Sequence, residues 1–168
     1  ARSRGGLILR SGYRRVNSVI NDSFETLDPR WTFAAAHMIQ DAAASADGVR
    51  RLQIGPNAAV STSLWTYEVP VKPGDKVRIR FRGRKDAAFN GTPGNSKVHV
   101  GAATPANTMV GSVSFGGADF AAAQTWYDRT GLFTIPADGS ITKIRVMLTS
   151  DNTAGYAWLD KLYIAVGT

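Results

Sequence analysis

Cysteine is absent from all 168 residues, so a disulfide framework and a thiolate metal site are both excluded. Histidine is nearly absent too, with only His37 and His99, and no H-E-x-x-H or G-x-S-x-G run occurs. Nothing in the sequence therefore favours an enzyme, although separate Asp and Glu residues could still converge in space as a glycosidase pair. No stretch approaches the ~20 apolar residues that a spanning helix needs, and membrane insertion is not expected. The apolar knot Gly6 to Leu9 is too short for the core of a signal peptide. The chain opens on Ala1, as a chain that has lost its initiator or a piece of a longer one would.

A convincing long helix is missing as well. Residues 34–47 are rich in alanine, yet they show no i, i+3, i+4 apolar stripe and read as strand and loop. Internal repeats are absent. An RNP-like motif and a recognition helix are also lacking, so nucleic acid is a poorly supported partner despite the basic balance.

What the sequence does have is glycine (17), 20 Lys and Arg against 13 acids, a formal charge of +7 and a pI near 10.1. Such a charge permits attraction to anionic glycans, nucleic acid or acidic protein surfaces, and its plainest reading is a solvated basic surface. Short period-2 runs separated by turn residues recur along the chain. Val49 to Ile54, Lys97 to Val100 and Met109 to Phe115 read as strands, and Ser63 to Val71 sets Trp65, Tyr67, Val69 and Val71 in one phase. Lys76 to Arg82 alternates most cleanly, with Val77, Ile79 and Phe81 on one face and Lys76, Arg78, Arg80 and Arg82 on the other. A slip of one residue there would bury four cations, so its facing is strongly specified. Pro73-Gly74, just before it, has the residue order of a type II turn.

The stretch 126–166 holds three more alternating runs cut by PADG and SDNTAG. In the last of them Tyr156, Trp158, Asp160, Leu162, Ile164 and Val166 share a phase, which predicts an inward row containing a carboxylate. A buried carboxylate must be paired, hydrogen-bonded or bound to a metal. About nine or ten short strands with Gly/Pro/Asn/Asp turns predict an all-β fold: a two-sheet antiparallel β-sandwich, or jelly roll, over 21–168. Residues 1–20 are set apart as a basic N-terminal arm or linker, carrying Arg2, Arg4, Arg10, Arg14 and Arg15.

Four stretches together carry a resemblance. They are N-D-S-F-E at 21–25 with Trp31, V-x-V-K-P-G-D-K-V-R-I-R-F at 69–81, the T-W-Y-D…G-L-F-T-I-P of 125–136, and the closing Y-A-W-L-D-K-L-Y-I. The pattern resembles carbohydrate-binding modules of the family 4/9/22 type, which are galactose-binding-like jelly rolls. Such modules occur in secreted polysaccharide hydrolases and in tail or other virion proteins of bacteriophages. The resemblance implies a non-catalytic structural or adhesion module of a virion, on the tail or capsid surface, with a host-cell glycan as ligand. The alternative is a carbohydrate-binding module of a secreted polysaccharide-degrading enzyme. In the virion setting the arm would join other virion subunits, and a symmetric homo-oligomer would follow. The family's structural calcium maps onto Glu25 and Asp160, with Asp160-Lys161 where a double acid is common; the alternative at Asp160 is an ion pair or backbone hydrogen bonds.

Sugar rings stack on aromatic side chains while their hydroxyls take polar partners, which makes Trp126, Tyr127 and Tyr156 the candidate platforms. Trp126 and Tyr127 are adjacent, so at most one of the two points inward. Trp65 and Tyr67 share the phase of two valines and fit a core better. Arg78, Arg80 and Arg82, followed by Arg84 and Lys85, form a cationic row suited to uronic acids, phosphorylated polymers or an acidic neighbour. A solvated face that discourages edge pairing is the plainer reading of the same row.

Overall fold

The computed structural model describes residues 31–32, 38–41, 51–57, 61–65, 68–104 and 108–167, with side chains over 51–57, 68–103 and 108–167. The N-terminal arm, Glu25, His37 and Tyr67 lie outside the described residues.

The described residues form strands β1 Trp31–Thr32, β2 Met38–Asp41, β3 Arg51–Ile54, β4 Ser61–Trp65, β5 Val69–Pro70, β6 Lys76–Lys85, β7 Lys97–Thr104, β8 Met109–Ser114, β9 Tyr127–Thr134, β10 Lys143–Ser150 and β11 Ala157–Gly167. One sheet has the order β1-β4-β10-β7-β8, with β5 also paired to β10; the other has the order β2-β3-β11-β6-β9. All pairings are antiparallel, and the two sheets make a β-sandwich.

Alternation decides which side of each strand is buried. Val77, Ile79 and Phe81 on β6 are fully buried, as are Val98 and Val100 on β7 and Leu148 on β10. The facing rows interlock, with Phe81 edge-on to Phe115 at a centroid distance of 6.4 Å. Each such side chain contributes about 1.5–3 kcal/mol when removed from water. The Pro73-Gly74 turn forms as expected: the Asp75 amide donates to the Lys72 carbonyl at 3.1 Å, and Gly74 has φ +82°. That φ is the one a type II turn demands at its third position. The expected row of Trp65, Tyr67, Val69 and Val71 is divided between two strands, β4 ending at Trp65 and β5 beginning at Val69. Val69 and Val71 are buried as expected.

The closing strand corrects a prediction. Its inward row is Ala157 and Leu159, then Leu162, Ile164 and Val166, because the pairing with β6 shifts register between Asp160 and Tyr163. Lys161 sits in that bulge with φ +50°. One extra residue reverses the facing of everything before it. Tyr156, Trp158 and Asp160 are therefore on the outer side of the five-stranded sheet, not in the core row with Leu162.

The loop 86–96 is fastened to the 151–156 turn. Asp151 accepts hydrogen bonds from the Thr92 amide (2.8 Å), Thr92 Oγ1 (2.6 Å), Asn95 Nδ2 (3.1 Å) and Ser96 Oγ (3.0 Å). Asn90 Oδ1 accepts from the Thr153 and Ala154 amides. Gly155, at φ +68°, leaves room for the Phe89 backbone, where a Cβ would lie 2.2 Å from the Phe89 nitrogen.

Candidate functional site

On the outer side of the five-stranded sheet, β6 presents Arg78, Arg80, Arg82 and Arg84. The register sets Ala165, Tyr163, Asp160 and Trp158 of β11 beside them in that order. On the other flank β9 sets Leu132 beside Arg78, Thr130 beside Arg80 and Asp128 beside Arg82. β3 adds Gln53, paired with Trp158, and Arg51, whose guanidinium lies 4.3 Å from the centre of the Trp158 ring.

Trp158 is the anchor of this face. Its indole Nε1 donates to Gln53 Oε1 at 3.0 Å, Arg84 lies 5.3 Å from its ring centre, and Tyr156 stacks on it at 6.1 Å with 22° between the planes. Cations over an indole face gain from its quadrupole, which helps hold two like charges near one another. Trp158 itself is only 8% exposed, whereas Tyr156 is 40% exposed, so the tyrosine is the ring offered to solvent. The backbone of Tyr156 is clamped as well: its amide donates to Asp86 Oδ2 at 3.0 Å, and its carbonyl accepts from the Asp86 amide at 3.0 Å.

The arginines differ in how they are held. Arg84 donates to Gln124 Oε1, and burial followed by the Arg51 charge depresses its pKa below the usual guanidinium value. Arg80 and Arg82 share one acid: Asp128 Oδ1 is 3.5 Å from Arg80 Nη2 and 3.8 Å from Arg82 Nε. Both separations exceed a good charge-assisted hydrogen bond. Arg80 and Asp128 are also widely exposed, at 61% and 59%, so the pair is weak and solvated. Asp160 is fully buried beneath the face, and its Oδ1 accepts from the Lys161 amide at 2.8 Å.

The structure thus gathers Tyr156, Arg78, Arg80 and Arg82 of the expected site residues on one face. Tyr127 does not join them. Its ring stacks on Phe120 at 5.8 Å and packs against the core, and its hydroxyl accepts from the Ala122 amide. Trp126, half-buried, stands one residue before β9. Arg51 and Trp158 were missed. The alternation of Leu52 and Ile54 could have placed Arg51 outward, whereas the facing of Trp158 depends on a bulge that has no glycine or asparagine to mark it. Around Asp160, no group of three His, Asp or Glu side chains that could hold a metal occurs among the described residues.

The second histidine is on the opposite sheet. His99 Nε2 lies 2.8 Å from Thr149 Oγ1, and its pKa is lowered by burial and then by Lys97. It stands on the polar side of β7, as its alternation with Val98 and Val100 predicts.

No family model matches the sequence. No curated protein matches it either. Solved structures do match in fold. A family 16 carbohydrate-binding module aligns over 88% of this chain and 99% of its own, at 16% identity and a TM-score of 0.62. A cyclase from Fischerella sp. TAU covers 88% of this chain and 94% of its own, at 12% identity and a TM-score of 0.61. The enzymatically active domain of bacteriophage CBA120 tailspike protein 4 aligns with 90% of this chain, which spans 21% of that longer chain, at 12% identity and a TM-score of 0.60. The chain shares the β-sandwich fold of these carbohydrate-binding modules. A fold shared by binding modules and a cyclase does not by itself assign an activity.

Proposed function

We propose that the chain is a non-catalytic glycan-binding module acting through the outer face of its five-stranded sheet. The observation that carries this reading is the exposed Tyr156 ring, fixed on Trp158 and continuous with a row of guanidinium groups. A pyranose stacks its C–H face on such a ring and turns its hydroxyls to the arginines, Gln53 and Thr130. Because Trp158 and the Asp86 clamp hold Tyr156 in place, little side-chain freedom is lost on binding.

The setting we assign is adhesion or assembly in a bacteriophage virion, supported by the likeness to a tailspike domain. Other virion subunits contacting residues 1–20 and a symmetric homo-oligomer belong to this reading. A module of a secreted polysaccharide-degrading enzyme is the second reading, supported by the match over 99% of a family 16 carbohydrate-binding module. A structural calcium at Asp160 and Glu25 remains part of the proposal. The carboxylates would supply hard oxygen ligands, and chelator should then lower the melting temperature. An unchanged melt assigns Asp160 to ion pairing instead.

A glycan array with neutral and acidic saccharides tests the reading. Binding to at least one class, abolished by Tyr156→Ala in a variant that melts normally, is expected. No binding to any saccharide, or full binding by the variant, contradicts it.

A further inference from the structure

The arrangement of charge on this face narrows the ligand further, and the step rests on the glycan-binding reading above. We propose that the face takes an acidic polysaccharide whose sugar rings bear carboxylates, laid along β6 with one ring on Tyr156.

Four arginines leave the same side of one strand at every second residue. Alternate positions on a strand are about 6.6 Å apart, so the row from Arg78 to Arg84 runs about 20 Å. That length suits a linear polymer with charge repeated along it, not a single small anion. Arg51, only 5% exposed, lies over Trp158 beneath the Tyr156 end of the row and adds positive potential there.

Asp128 lies between the Arg80 and Arg82 guanidinium groups and makes a close hydrogen bond with neither, while Asp41 stands opposite Arg51 in the register of β2 with β3. Asp160 is buried under the face, out of reach of a ligand. Ligand carboxylates would meet the guanidinium edges two donors at a time, a geometry that an ammonium group cannot reproduce. The row is arginine from Arg78 to Arg84 and ends at Lys76, whose ammonium donates to Thr134 Oγ1.

Glycan fits this face better than single-stranded nucleic acid. A nucleic-acid track needs aromatic platforms repeated along the charged groove. Here the well-exposed ring is at one end, and among the described residues the other aromatics beside the row are the buried Trp158 and the half-buried Tyr163.

Titration calorimetry with polygalacturonate and its fully methyl-esterified form tests the proposal, because the two share a backbone and differ in charge. The acid form is expected to bind about tenfold more tightly, with the advantage shrinking as salt rises. Arg80→Gln with Arg82→Gln should remove the advantage, bringing acid and ester to the same affinity. Lysine at both positions should restore only part of it. An unchanged melting temperature for each variant shows that the fold is kept, and Arg80→Gln alone is the fallback because Arg80 is well exposed.

Equal binding of acid and ester, or neutral saccharides binding where polygalacturonate does not, overturns the inference and leaves the glycan-binding reading standing. Tighter binding of dextran sulfate reassigns the anion to a sulfate ester, and tighter binding of oligo-dT reassigns the ligand to nucleic acid. Either result overturns the carboxylate assignment. A chain that binds no saccharide at all defeats both readings.

Discussion

Asp160 shows how a single residue can be read correctly for burial and wrongly for side. It is fully buried, as its place among large apolar neighbours suggested, but it lies under the outer face and not in the core. Removing its carboxylate leaves buried partners without it, and Asp160→Ala should cost about 3 kcal/mol in urea unfolding. A loss below about 0.5 kcal/mol would place the side chain in water. Asp151 gives a pH signature. Burial works to raise its pKa, and the hydrogen bonds from Thr92, Asn95 and Ser96 outweigh that and lower it below the ordinary aspartate value. The folded chain then binds fewer protons at this site than the unfolded chain just below about pH 4. The contribution is full above that pH and is lost as pH falls through the folded pKa. Unfolding of Asp151→Asn should accordingly show a shallower loss of stability between pH 5 and pH 3, both values being approximate bounds set by ordinary carboxylate titration. An unchanged acid slope would remove Asp151 from the account.

At the scale of elements, strand β6 was legible because every odd residue from Val77 to Phe81 is apolar and every even one is cationic, so only one facing avoids burying charge. The Pro73-Gly74 turn was legible because its residues fix their own φ angles. Strand β11 was legible as a strand, but not in its facing before the bulge. A lysine in left-handed backbone gives no warning, since that conformation is imposed by pairing with β3 and β6 and not by local preference. The packing of Tyr127 was hidden for a related reason: adjacency to Trp126 meant that at most one of the two turns inward, without saying which. Comparing Lys161→Gly with Lys161→Val tests the bulge, since both remove the ammonium and only valine resists positive φ. The valine variant should be less stable than the glycine one by about 1–2 kcal/mol. A gap near zero would mean that no such bulge exists and would return Trp158 to the core row.

For the whole molecule, the two sheets divide the work. Their inner faces supply the packed interior, leaving the outer face of β3, β11, β6 and β9 to carry rings and cations together. The loop 86–96 joins these roles, because the same Asp86 that starts it also holds the backbone of Tyr156. The sandwich was readable from strand spacing alone. The site was readable only in part, since Arg51 and Trp158 meet Arg84 through pairings that no local motif encodes.

The most direct measurement is an NMR titration of the chain with a short acidic oligosaccharide, following backbone amides and arginine Nε–H signals. The account predicts shifts confined to Arg78–Arg84, Tyr156–Trp158 and Arg51, saturating together. Shifts centred on Lys97–Thr104 and Lys143–Ser150 of the other sheet, or none at saturating ligand, would contradict it.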